Sequence, residues 1–141
     1  MVNLDFLCMK TAQEMMLCKG SPEDKENLAT KGLGILLENG PYGLMLYLET
    51  QSNGGVAGHY KEQLLTLCHE ERLASYLGGK VPSVADFQEI ARWLKDLAKD
   101  LDRYLFMKCL WQQALTYARY HAKVKDEENI ADQDDGMEDL P

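Results

Sequence analysis

The side chains most able to do chemistry are three histidines and four cysteines, and their spacing keeps them apart. His59, His69 and His121, with Cys8, Cys18, Cys68 and Cys109, make no Cys-x-x-Cys pair and no finger spacing, so a structural zinc site has no ligand set. His69-Glu70-Glu71 is not the His-Glu-x-x-His that places two ligands and a general base on one helical face. Thiols in helical apolar patterns are expected to behave as small buried hydrophobes. Gly32-Leu33-Gly34-Ile35-Leu36-Leu37 lacks both the strand context and the Lys-Ser/Thr of a phosphate loop. Acid and base catalysis needs titratable groups converging in a pocket, and here the carboxylates fall on faces that also carry Lys or Arg. The reading is a protein with no catalytic residues, no metal, no cofactor and no small-molecule substrate.

The cations are more informative. The formal charge is −8 over 141 residues, but His121 to Pro141 holds eight acids and two lysines, a sum of −6, which leaves −2 for the first 120 residues. Binding to a polyanion follows the local field rather than the total. From Arg103 to Lys125 there is no acid and there are five bases. Lys108, Gln112, Thr116, Arg119 and Lys123 recur as a polar strip opposite a face of Phe106, Leu110, Ala114, Tyr117, His121 and Val124, flanked by Met107, Trp111 and Ala118. A helix C-terminus favours Arg119, Lys123 and Lys125, whereas Lys108 sits mid-helix and needs another explanation. Bases unopposed by acids, beside neutral donors, suit a phosphate backbone. A second cluster, Arg92, Lys95, Lys99 and Arg103, falls within roughly an 80° arc of the preceding helix at 100° per residue, with Asp96 and Asp100 placed to pair with it.

The elements that position these side chains are helical throughout. Two apolar runs meet at Asn39-Gly40-Pro41, where Gly40 can take a left-handed conformation and Pro41 suits the first position of a new helix. The expectation is helix, tight corner, helix, with residues 42–49 as a central helix apolar on nearly every side and therefore buried. Nothing at its start can read a base edge, which argues against a DNA-binding helix-turn-helix. Residues 3–18 read as a helix with Leu4, Leu7, Cys8, Thr11, Ala12, Met15 and Cys18 on one face. Phe6, Met9, Met16 and Leu17 lie outside that face, a surplus that a second subunit would cover. Ser21 and Pro22 start the next helix, in which Gly32 and Gly34 are expected to let another backbone approach. Ser52 to Gly55 reads as a loop, residues 56–77 as a helix broken near His69 to Arg72, and Ser83 as the cap of a helix with Val84, Phe87, Ile90, Leu94, Leu97 and Leu101 as its core stripe. The last helix covers about 102–125. The fold class is therefore all-α, a single-domain bundle of five to six helices over residues 1–125. Residues 126–141 are too acidic and too poor in apolar side chains to order themselves and read as a disordered tail. No run is apolar for the roughly 18 residues a membrane span needs, and the N-terminus lacks a signal peptide's basic region, so a cytoplasmic protein is expected.

Leu36-Leu37-Glu38-Asn39-Gly40-Pro41-Tyr42-Gly43-Leu44-Met45-Leu46-Tyr47-Leu48 early in the chain, with Leu101-Asp102-Arg103-Tyr104 and Tyr117-Ala118-Arg119-Tyr120-His121-Ala122 late, resembles the small α-helical subunit of Cmr-type, type III-B CRISPR effector complexes. The resemblance spans roughly residues 11–125. The chain departs from that family's pattern at Lys31-Gly32, where a Leu-Pro pair often stands, and at Tyr117-Ala118, where Trp-Leu is usual. The resemblance implies a non-catalytic subunit, several copies of which stack beside the guide-bearing subunits. Its partners would be other effector subunits, further copies of itself, and guide and target RNA. Base pairing would read sequence while protein supports the backbone. The candidate RNA-contacting residues, Arg103, Lys108, Arg119 and Lys123, then Arg92, Lys95 and Lys99, come from the charge pattern. The candidate self-contact residues, Phe6, Met9, Met16 and Leu17, come from the apolar surplus. The competing expectation is a helical adapter that touches only protein.

Overall fold

In a computed structural model, residues 2–51, 55–83 and 86–138 are described, with side chains to Lys125. Six helices follow in order: α1 Leu4–Met15, α2 Pro22–Thr50, α3 Val56–Leu67, α4 Glu71–Tyr76, α5 Phe87–Leu97 and α6 Leu101–Glu138. There is no strand among the described residues, and the chain is an all-α, single-domain bundle. No helix searched is long and apolar enough to cross a membrane.

The starts of the helices are set by short polar side chains. The Asn3 side chain accepts from the Phe6 N–H at 3.0 Å, and Ser21 Oγ accepts from the Asp24 N–H at 3.0 Å with Pro22 just inside, each satisfying one of the orphan donors of a first turn. Glu70 does the same for α4, its carboxylate accepting from the N–H groups of Arg72 and Leu73. This break separates α3 from α4 where the shifted apolar pattern predicts it. For α5 the cap differs from expectation. Asp86, not Ser83, accepts from Gln88 N–H at 2.9 Å and the helix starts at Phe87, a carboxylate being both a good cap and a favourable charge at the positive end. Ser52 to Gly54 and Val84 lie outside the described residues.

α2 turns its corner at Gly40, with φ 79° and ψ −178°. Two residues twelve apart in a straight helix stand about 18 Å apart, yet a Cβ built on Gly32 would lie 3.3 Å from Leu44 Cδ1. The two segments of α2 therefore fold back on each other. The expected backbone approach at the paired glycines does not occur: Gly32 is filled by the side chains of Leu44 and Leu115, and Gly34 has nothing within 4 Å. Residues 42–49 also differ from a helix buried all round. Leu44, Met45 and Leu48 are in the core, while Tyr42 is 42% and Leu46 41% exposed, because α3 and α6 cover only the inner sides.

α6 packs most extensively on α2 and next on α1. Its buried face is Met107, Leu110, Trp111, Ala114, Leu115, Ala118 and Ala122, whereas Phe106, Tyr117 and His121 are half-buried and Val124 is exposed. The core stripe is thus centred on the flanking set rather than on the expected face. The small residues on it let α2 come close while Trp111 fills the middle. Its indole N–H is buried without a hydrogen-bond partner among the described residues. The neighbouring Cys68 thiol is pushed up to about 12 by burial, an effect that Trp111 partly offsets. Cys8 and Cys68 are buried and Cys18 is half-buried, as small hydrophobes would be, but Cys109 is exposed.

The end of α1 is finished by side chains from other helices. Lys25 Nζ donates to Met16 O at 2.8 Å, His59 Nε2 lies 2.6 Å from Glu14 O, and Tyr60 Oη donates to Lys25 O at 2.9 Å. An ammonium at a helix C-terminus satisfies a carbonyl and opposes the negative end of the dipole, which accounts for Lys25 being buried.

Candidate nucleic-acid interface

The helix that carries Lys108, Arg119 and Lys123 is held in place around the α2 corner. Pro41 has no N–H, so the carbonyl four residues back, that of Leu37, lacks its usual intrahelical donor. Lys108 Nζ reaches that carbonyl at 3.4 Å. One turn earlier, the Tyr104 hydroxyl accepts from the Tyr42 N–H at 3.0 Å, an orphan donor at the start of the second α2 segment. The mid-helix lysine therefore has a structural explanation: together with Tyr104 it braces the corner from outside. It is half-buried, with no carboxylate against it among the described residues.

Arg119 and Lys123 are exposed on α6, and no ion pair engages either one among the described residues. The Arg119 guanidinium carbon lies 6.0 Å from the Tyr120 ring centroid. Lys108 and Arg119 are eleven residues apart, which is three turns and about 16 Å along the axis on nearly the same side, with Lys123 about 6 Å further. Gln112 and Thr116 lie between them and are half-buried, the Thr116 hydroxyl donating to Gln112 O.

The second cluster does not stay together. α5 ends at Leu97, and Asp100 accepts from the Arg103 N–H at the start of α6, so the arc drawn through one continuous helix is broken between Lys99 and Arg103. Leu101 likewise leaves the core stripe and is 63% exposed on α6. Arg103 pairs with Asp100 at 3.1 Å and lies 5.3 Å over the Tyr76 ring, which is edge-on to Phe106. Counting 100° per residue, Arg103 stands about 140° from Lys108 around α6, on another side of the molecule. Lys99 pairs with Asp96 at 3.4 Å, both three-quarters exposed, a contact worth little in water. Arg92 and Lys95 remain, exposed and without an ion pair among the described residues.

These two line a groove of about 340 Å³ that sequence reasoning missed. Tyr42 and Tyr104 form one wall; Ala91, Leu94 and Ala98 of α5 the other, with Arg92 and Lys95 at the rim. The signal was present in part: Pro41 announces an orphan carbonyl and a fresh set of N–H groups, and a tyrosine at the start of the partner helix can supply an acceptor. The expected self-contact residues separate as well. Phe6, Met9 and Leu17 are 55%, 39% and 72% exposed, but Met16 packs half-buried against the core.

Comparison of the chain with protein-family models, with curated proteins and with solved structures finds no match.

Among the described residues no three of His, Cys, Asp and Glu come together as metal ligands. His59 and His69 are each set against a backbone carbonyl, of Glu14 and Pro82. A cleft of about 310 Å³ between α1 and α3 gathers Lys10, Thr11, Glu14, Gln63 and His69. What the surface offers is exposed positive charge on α6 and α5 without ion pairs among the described residues, separated by the braced corner.

Proposed function

We propose that this protein is a non-catalytic small subunit of a type III CRISPR ribonucleoprotein effector, stacked in several copies, that supports bound target RNA through its phosphate backbone. The observation that carries the reading is the stretch of α6 from Arg103 to Lys125, which holds no acid and on which Arg119 and Lys123 stand exposed without carboxylate partners among the described residues. Such cations exchange counterions for phosphates. Arg92 and Lys95 extend the charge onto α5. Arg103, Lys99 and Lys108 contribute less, the first two being paired with aspartates and the third bonded to Leu37 O. The same engagement of three cations within the fold favours the second reading, a helical adapter that touches only protein.

The test is retention of single-stranded RNA by the assembled complex as salt is raised. Reversing Arg119 and Lys123 to Glu is expected to weaken retention whatever the RNA sequence and to flatten its salt dependence. Unchanged retention by a folded variant rules out the α6 surface, and unchanged retention when Arg92 and Lys95 are reversed as well leaves the adapter.

A further inference from the structure

We propose that the groove between the α2 corner, α5 and the start of α6 receives the acidic C-terminal segment, residues 126–141, of a second copy of this chain. The groove is lined by the apolar bodies of Tyr42, Tyr104, Ala91, Leu94 and Ala98 and by two cations, Arg92 and Lys95. Neither cation has an ion-pair partner among the described residues. An occupant that matches both features is acidic and carries a few separated apolar side chains. Residues 126–141 hold eight acids and no base, interrupted by Ile130, Met137 and Leu140.

The segment belongs to another copy for a geometric reason. α6 runs without interruption from Leu101 to Glu138. Tyr104 and Ile130 are 26 residues apart on that helix, about 39 Å along its axis. While α6 stays helical, a chain cannot lay its own C-terminal segment in its own groove. Ala122 is the last buried residue among those whose side chains are described, and the helix backbone runs about 24 Å beyond it to Glu138, long enough to reach a neighbour. Each copy then offers a groove at one end and an acidic helix at the other, a heterologous contact that repeats without closing. Charge at a rim governs rate and salt dependence more than affinity, and one apolar groove of this size fits a weak, reversible contact. The segment competes with phosphate for Arg92 and Lys95. The proposal takes from the function given above only self-stacking, and its test contains no RNA, so either can fail alone.

Sedimentation velocity on the full chain supplies the test. Concentration-dependent self-association is expected at low salt, with the dissociation constant rising at least tenfold when salt is raised until the screening length is a few ångströms. The pair Arg92→Glu and Lys95→Glu, and separately the triple Asp132→Lys, Asp134→Lys and Asp135→Lys, should each raise it at least tenfold. Arg92 and Lys95 are exposed, and circular dichroism checks that each variant stays folded. Mixed together, the two variants should associate again in equal proportion, the acidic groove of the first taking the basic segment of the second and the unaltered groove of the second taking the acidic segment of the first. A full chain that stays monomeric at all concentrations overturns the proposal. So does association untouched by the triple reversal, or a mixture that fails to pair. Association lost only on Phe6→Glu or Leu17→Glu would place the contact on α1 instead.

Discussion

Replacing Gly40 with alanine isolates what the α2 corner demands of the backbone. At φ 79° and ψ −178° the residue occupies a region open in practice to glycine alone, and a side chain there costs about 1–3 kcal/mol. Space is not the difficulty: the nearest atoms to an added Cβ are Tyr104 Oη at 3.6 Å and Cε2 at 3.8 Å, ordinary contact distances. Alanine also restricts the unfolded chain, which returns about 0.4–1 kcal/mol, so the net loss is about 1–2 kcal/mol. In urea, with a slope of about 2 kcal/mol per molar, the midpoint should fall by about 0.5–1 M at unchanged slope. Gly34→Ala is the control. That glycine is also in α2, at ordinary helical dihedrals with open space around it, and the change should raise stability by about 0.5–1 kcal/mol. If the two substitutions shift the midpoint in the same direction, the account of the corner is wrong.

Tyr104→Phe removes the acceptor of the Tyr42 N–H and should destabilise by about 0.5–1.5 kcal/mol, measured by the same urea titration. Lys108→Met should lower stability by a similar amount while leaving RNA retention close to wild type; a large loss of retention in a folded variant would return Lys108 to the interface. Lys25→Met strips the α1 end of its donor and should lower stability by about 1–2 kcal/mol, with amide exchange accelerating first in α1. Burial raises the Cys8 thiol to about 11 and Cys68 to about 12 from an ordinary 9.0. The unfolded chain ionises first, so stability is intact below pH 9 and falls as pH climbs from 9 towards 11 and 12, which melts at pH 8 and pH 10 would show. At pH 8, Cys109 should alkylate in the native protein well ahead of Cys8 and Cys68.

Helix identity and the α2 corner were legible because they depend on local chemistry: Ser21-Pro22, Gly40-Pro41 and three- and four-residue apolar spacing act over a turn or two. The faces were less legible. Tyr42 and Leu46 look buried by composition and are partly exposed because the other helices cover that side incompletely, a fact about those helices. Charge clusters suffered from one misplaced boundary. Counting Arg103 on the helix that carries Lys99 merged the two, whereas Asp100 starts a new helix and Arg103 lies over Tyr76. The groove was legible only in the bonding needs of the Pro41 corner, since it joins that corner to helices about 50 residues further along the chain.

The first helix of the chain is also the one most dependent on distant parts. Its last carbonyls are met by Lys25 and His59, its Cys8 thiol donates to Leu110 O, and its Asp5 carboxylate accepts from the Tyr117 hydroxyl. These partners are made later in synthesis, up to 112 residues later, and contacts so far apart along the chain form slowly. During translation α1 therefore waits for Tyr117 to leave the ribosome before its final attachments exist.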